Sequence, residues 1–376
     1  LRNKLAESLA LKQYEKSKIF VSTTYAYLLI IIVVFFIIFL VVNFFVNWNS
    51  ILNSSLIDKK EIDTLVFIAF VAFLIRFVLQ IVNSIGMALQ KSFIADLINA
   101  LINVLTLLTV IIINFFSYSS LLIYGISISI IPLIVLLFFN LFFFKKYIFL
   151  KPSFKSINLK DGKDLMTVGI KFFIIQLSAL ILFSTQNIVI TQYLGPENVT
   201  KYNIIYKYFS VIIMLNSIII SPFWSSFTDA FVLKDFDWIR RIMKKINKYS
   251  LILSFCVILM IVFSDFVYKI WLKQDLGISF ISSLFMGIYT ILTIILTPYV
   301  SFINGTGKIK VQLIYGIILA IINIPLLIFF INLDSLNITG VFITLCLVTL
   351  PSLFIWPFQF KKIIYDASTE DSIWMQ

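Results

Sequence analysis

The sequence has no histidine and only two cysteines, Cys256 and Cys346, both inside apolar runs. Without histidine it lacks the side chain that usually serves as general base near neutral pH and as the commonest imidazole metal ligand. Two cysteines so placed supply neither a disulfide framework nor a zinc-ligand spacing. Charge is also scarce: Asp, Glu, Lys and Arg make up 13% of residues, against about 25% in soluble domains. No Asp or Glu occupies the middle of an apolar run. The chain opens at Leu1 inside a charged stretch, with neither an initiator methionine nor a signal peptide. Its natural N-terminus is therefore expected to lie upstream.

What is abundant is apolar surface. Hydrophobic residues reach 61%, and Phe alone occurs 40 times in 376 residues; mean hydropathy is +1.04. A soluble chain of this length would form two or three domains. Globular averages are roughly 45–50% apolar, so no soluble core absorbs the surplus. A bilayer does.

A membrane span needs about 20 mostly apolar residues. Ten runs qualify: A 25–46, B 62–82, C 94–116, D 120–144, E 165–193, F 202–224, G 249–270, H 277–298, I 311–332 and J 338–360. A β-barrel is excluded because barrel strands of about 10 residues alternate in polarity, whereas these runs are continuous. The expected class is an all-α polytopic membrane protein. Most of the 30 Lys and Arg sit in alternate loops, while the intervening ones, with the outer ends of F and G included, hold Lys59, Lys60, Lys201, Lys207, Lys269 and Lys273. The positive-inside rule makes the first set, with both termini, cytoplasmic. Residues 1–144 should form an N-terminal bundle (spans A–D), 145–163 a basic cytoplasmic linker, and 164–376 a C-terminal bundle (spans E–J).

A repeat runs through both parts. Leu5–Glu15 aligns without gaps on Phe227–Asp237, pairing Glu7 with Asp229, Leu11 with Leu233, Lys12 with Lys234 and Glu15 with Asp237. An acid, apolar residues, a base and an aromatic at helical spacing predict a surface-lying amphipathic helix in each copy. Each copy precedes a span, A or G, and each span is followed by an outer tryptophan, Trp48 or Trp271. Spans G–J then replay A–D, and two spans equivalent to E and F are expected before Leu1. That makes twelve spans in two pseudo-symmetric halves of equal orientation, the parallel-repeat class of transporter.

Four stretches, in this order, carry a likeness: Leu1-Arg-Asn-Lys-Leu-Ala-Glu-Ser-Leu-Ala; Val168-Gly-Ile-Lys-Phe-Phe-Ile-Ile-Gln-Leu; Tyr193-Leu-Gly-Pro-Glu-Asn-Val with Tyr202-Asn-Ile-Ile-Tyr-Lys-Tyr-Phe; and Ser221-Pro-Phe-Trp-Ser-Ser-Phe-Thr-Asp-Ala. Together the chain resembles the Wzx-type O-antigen and polysaccharide flippases of the MOP (multidrug/oligosaccharidyl-lipid/polysaccharide) superfamily, to which the MATE exporters also belong. The resemblance implies two helical bundles around a central cavity in the bacterial plasma membrane. It further implies transport of undecaprenyl-diphosphate-linked oligosaccharide units, for O-antigen, capsule or exopolysaccharide, from inner to outer leaflet by alternating access. The expected partners are that lipid-linked oligosaccharide, membrane lipids and other polysaccharide-assembly membrane proteins. No cofactor is expected, though a proton or sodium gradient could drive the cycle, and no enzymatic role.

Ionisable groups inside spans are costly and mark candidate sites. Span E carries Lys171, Ser178, Thr185 and Gln192 seven apart, hence on one slowly drifting face, with Gln176, Gln186 and Asn187 nearby. The rival reading is polar glue between packed helices. Span F carries Lys207, Ser210 and Ser217 on one face, with Lys207 close enough to the outer edge to snorkel. Span B carries Arg76 and Gln80, for which an ion pair between Arg76 and Asp96 of span C is the structural alternative. Asp265 has Lys269 one turn away as its expected partner. Arg76, Lys171 and Lys207 are all cations, and a net positive cavity suits a diphosphate. An exporter of organic cations, the alternative within the superfamily, would want a mid-span carboxylate. A membrane-embedded polymerase or glycosyltransferase would want acids, histidines or a larger outer loop. Asn304-Gly-Thr-Gly-Lys308 lacks P-loop spacing and reads as a turn between H and I. The basic clusters 145–163 and 240–248 serve topology and anionic lipid rather than nucleic acid.

Overall fold

The computed structural model describes residues 1–48, 58–116, 120–273, 276–333, 336–365 and Trp374. Among these, ten helices are long and apolar enough to cross a membrane, and each overlaps one of the ten predicted runs, though the seventh spans Phe236–Val262 where 249–270 was expected and the first starts at Tyr14 rather than at 25. The chain divides into two compact units, Leu1–Leu165 and Met166–Gln376.

The N-terminal unit comprises α1 (Arg2–Ala10), α2 (Tyr14–Phe45), α3 (Lys59–Leu79), α4 (Ile81–Ala88), α5 (Phe93–Phe115) and α6 (Leu121–Lys146), then two short 3₁₀ turns at Ile148–Leu150 and Phe154–Ser156. Its core gathers Leu5, Val82, Ile85, Ile98 and Leu136, all fully buried. The outward faces stay apolar; Phe44 and Phe45 on α2 are 83% and 79% exposed. That inversion of the soluble pattern is what lipid permits, provided backbone groups are satisfied within the helices. Glu61 on α3 helps fix α6: its carboxylate accepts from Leu122 N and Ser120 Oγ, each at 3.0 Å. A carboxylate there meets amides that have no partner inside their own helix.

The C-terminal unit holds most of α7 (Leu159–Leu194), then α8 (Pro196–Val232), α9 (Phe236–Val262), α10 (Ser264–Leu272), α11 (Phe280–Thr306), α12 (Lys310–Ile331), α13 (Thr339–Thr349) and α14 (Ser352–Tyr365). Pro196 follows Gly195 (φ 85°) and starts α8 where its missing N–H costs nothing. Asp235 caps α9 by accepting from Trp238 N at 3.0 Å. Helix α11 runs through the middle of the unit and packs on α8, α9, α13 and α14.

The repeat is real in geometry and differs from expectation in shape. Neither copy is a continuous surface helix. Residues 227–232 are the last turns of the long spanning helix α8, and both copies break into a turn before residue 15 or 237. The turns share their backbone hydrogen bonds and left-handed residue at an offset of 222. Lys12 and Lys234 both adopt left-handed φ, at 57° and 58°. Leu11 N bonds Glu7 O (3.1 Å) as Leu233 N bonds Asp229 O (3.0 Å), and Gln13 N bonds Ser8 O as Asp235 N bonds Ala230 O, both 2.8 Å. This is a Schellman-type helix stop. The amphipathic periodicity was correct, but the buried face packs in the bundle: Leu5 and Phe227 are both fully buried.

Among the prolines in or at the ends of the spans, Pro132, Pro222, Pro298, Pro325 and Pro357 lie within continuous helices. Only Pro351 sits at a break, between α13 and α14. The breaks at Gln80 and Phe263 involve no proline. The predicted turn between H and I is present: α11 ends in Gly307 at φ 74°, and α12 begins at Lys310.

Candidate functional site

The polar stripe on α7 changes environment along its length. Lys171 is half-buried, Ser178 buried, Thr185 half-buried and Gln192 exposed, the drift expected when a seven-residue spacing meets a 3.6-residue turn. Ser178 Oγ donates to Ile174 O (2.9 Å) and Thr185 Oγ1 to Ile181 O (2.5 Å). Each hydroxyl thus spends its proton on its own helix and keeps its oxygen lone pairs. Gln176 is exposed. Gln186 is fully buried, accepts a hydrogen bond from Tyr202 OH, and leaves Nε2 without a partner among the described residues. Asn187 Oδ1 is likewise buried and unpartnered.

On α8, Lys207 and Ser217 are exposed, and Ser210 is half-buried with its Oγ bonded to Lys207 O (2.8 Å). In the N-terminal unit Arg76 and Gln80 are half-buried at the end of α3. The Arg76–Asp96 pair does not form: Asp96 is exposed on α5, and the ion pairs among the described residues are Lys4–Glu7, Arg240–Asp237 and Lys269–Asp265. The last, at 2.8 Å, is the one expected from sequence. The Arg76 Nε is buried without a hydrogen-bond partner. Arg76 and Lys171 therefore remain cations without carboxylate partners among the described residues.

The C-terminal unit holds a cavity of about 280 Å³, bounded by α7, α11, α12, α13 and α14. Of the predicted residues it contains Ser178. The rest of its polar wall was not foreseen: Thr293 and Thr297 on α11, Gln312 and Tyr315 on α12, Thr349 on α13, Ser352 on α14. Gly316 of α12 faces Ser178 of α7, and a Cβ there would make an ordinary contact, 3.6 Å from Ser178 Cβ. Tyr315 OH donates to Val348 O (2.6 Å), Ser352 Oγ donates to Tyr315 OH (3.1 Å), and the Tyr315 ring meets Trp356 edge-on at 5.4 Å. Thr residues four apart were the only available sequence signal. They resemble the many hydroxyls that membrane helices tolerate by bonding back to a carbonyl.

Buried amides such as Gln186 are more costly to leave unpaired than they are valuable when paired. Tyr202→Phe should lower thermal stability by about 1 kcal/mol, within the range measured for hydrogen bonds between membrane helices. The double variant Tyr202→Phe/Gln186→Leu should recover most of that loss, as both partners become apolar. Unfolding curves of the detergent-solubilised single and double variants measure the difference.

Ten apolar spanning helices in two units, repeating one helix-turn-helix geometry, define a multi-pass membrane protein with the fold of the MOP-superfamily transporters. An outward-facing multidrug resistance MATE family transporter of that superfamily superposes with a TM-score of 0.78, over 99% of this chain and 83% of its own, at 16% identity. The Vibrio cholerae MATE transporter VcmN in the bent form gives 0.76, over 100% and 84%, at 14% identity. MATE in the straight conformation gives 0.79, over 96% and 83%, at 16% identity. No curated protein sequence matches the chain. The family model described as polysaccharide biosynthesis protein matches residues 3–226. The chain belongs to that family.

Proposed function

We propose that the protein is a flippase carrying undecaprenyl-diphosphate-linked oligosaccharide units from the inner to the outer leaflet of the bacterial plasma membrane by alternating access. The family match over residues 3–226 carries this reading, on a fold shared with MOP-superfamily transporters. Two details support it. Arg76 and Lys171 take part in none of the ion pairs seen, so their charge is free to meet a diphosphate. At 4 Å and an effective dielectric of 20, each such contact is worth up to about 4 kcal/mol before desolvation. Hydroxyls and amides serve the sugars, and the isoprenoid tail remains in lipid. The charge asymmetry of the loops supports a cytoplasmic side for both given termini.

The test is flipping of a labelled undecaprenyl-diphosphate saccharide in vesicles. Lys171→Gln should lower the initial rate at least about tenfold, equivalent to losing 1.4 kcal/mol of the contact, while the protein inserts and purifies as before. Undiminished flipping removes Lys171 from the diphosphate path. A parent protein that exports organic cations and leaves the saccharide in place overturns the function itself.

A further inference from the structure

The cavity between α7, α11, α12, α13 and α14 has an unusual hydrogen-bond balance. Among the described residues, no charged side chain lines it. Five of its hydroxyls have already committed their protons: Ser178 to Ile174 O, Thr293 to Tyr289 O, Thr297 to Thr293 O, Tyr315 to Val348 O and Ser352 to Tyr315 OH. Gln312 adds a buried Oε1 that has no partner among the described residues. A hydroxyl that donates once still holds lone pairs. The wall is mainly apolar, and the few polar atoms set into it are neutral hydroxyls and one amide; an acceptor among them that stays unmet on burial costs about 1–3 kcal/mol. The complementary ligand brings its own O–H or N–H donors and no net charge. A phosphate would bring acceptors to acceptors and find no cation. An organic cation would find no carboxylate.

Trp356 and Tyr315 supply the other half of the match. Trp356 is 5% exposed and stands at 87° to the Tyr315 ring, so aromatic surface borders the acceptors. A pyranose has this mixed character, with O–H donors around its rim and C–H groups on its faces. Aromatic rings accept such C–H groups through their negative faces. The volume, about 280 Å³, is near the lower end of small-ligand sites, which begin at roughly 300 Å³. It admits a single ring rather than an oligosaccharide. Gln312 lies in the first turn of α12 and Thr293 midway along α11, so the cavity extends from mid-span to the helix ends that the charge asymmetry assigns to the cytoplasm.

We propose that this cavity is a sugar subsite that takes one neutral pyranose of the transported glycan while the diphosphate is held elsewhere. The assignment rests on the flippase reading for its direction, and on the wall chemistry alone for its ligand. Its test is independent of flipping. Glucose, N-acetylglucosamine and N-acetylglucosamine 1-phosphate are titrated against the purified full chain, with saturation-transfer NMR as readout. At least one neutral sugar should bind, and the phosphate should bind more weakly. Gln312→Leu and Thr293→Val, both close in size to the residues replaced, should weaken sugar binding about tenfold while leaving the protein monodisperse. Loss of sugar binding in these variants, in a protein whose parent flips nothing, keeps the subsite and removes the flippase reading. Flipping by the parent with sugar affinity unchanged in both variants removes the subsite and keeps the flippase. A cavity in which the variants abolish sodium binding and leave sugar binding intact also overturns the proposal.

Discussion

Gly305→Leu is expected to unfold the C-terminal unit, and Gly305→Ala to weaken it severely. A Cβ at Gly305 would lie 2.7 Å from Trp224 O, 3.2 Å from Phe227 Cβ and 3.3 Å from Thr228 N. Two of these three neighbours are backbone atoms of α8, which cannot swing away as a side-chain tip can. The same contact carries a hydrogen bond, Thr228 Oγ1 to Gly305 O at 2.8 Å. In lipid, helices gain little from hydrophobic exclusion and rely on close backbone approach through small residues. Separating α8 from α11 would loosen the buried aromatic group of Phe227, Phe302 and Phe360 packed around them. Ordinary overpacking costs about 1–3 kcal/mol; alanine should fall at the top of that range and leucine beyond it. Gly169→Ala is the control, because among the described residues nothing lies within 4 Å of a Cβ built there. Melting curves of the three purified variants should rank Gly169→Ala with the parent, then Gly305→Ala, with Gly305→Leu failing to accumulate as folded protein. An alanine variant that melts with the control would mean that α8 and α11 do not pack as described.

Gly305 also shows how far sequence reasoning reaches. Within Asn304–Lys308 it read as part of a turn, and the turn exists, yet Gly305 itself is a buried contact inside α11. Periodicity along one chain cannot reveal which distant helix approaches a given face. The ten spans were legible because continuous apolar runs are a local signal that no loop or soluble core reproduces. The offset between Lys12 and Lys234 was legible for the same reason, as like residues in like order. Its shape was not, since an amphipathic face packed on a bundle and one laid on a membrane surface have the same periodicity. Arg76 and Asp96 carry opposite charges on adjacent spans, but proximity in sequence order did not bring them into contact. Ser178 was found from its spacing on span E. Thr293, Gln312, Tyr315 and Ser352 were not, because their spacing is that of neutral polar groups found on many membrane helices, and only tertiary packing assembles them into one wall.

The same limit applies to Asn140, which carries the second large effect. It is 7% exposed on α6 and joins three helices. Its Nδ2 donates to Leu79 O (2.9 Å) and to Leu136 O (2.7 Å), and its Oδ1 accepts from Tyr25 OH (3.0 Å). Leu79 is the last residue of α3, where the helix breaks at Gln80 before α4. A helix break in an apolar interior leaves carbonyls without their usual amide partner, and each must be satisfied from elsewhere. Asn140 does so with a side chain of fixed length, holding the break against α6 while Tyr25 anchors α2 to the same group. Asn140→Leu keeps the volume and removes all three bonds. Two of the bonds join helices, at about 0.6–1.7 kcal/mol each, and the third stays within α6, so the loss should be about 2–3 kcal/mol. Tyr25→Phe, which removes one bond, should cost about 1 kcal/mol. Hydrogen exchange adds a local readout: amides of residues 77–84 should lose protection in Asn140→Leu and keep most of it in Tyr25→Phe. If the leucine variant matches the parent in both melting and exchange, the break at Gln80 is held by something other than Asn140.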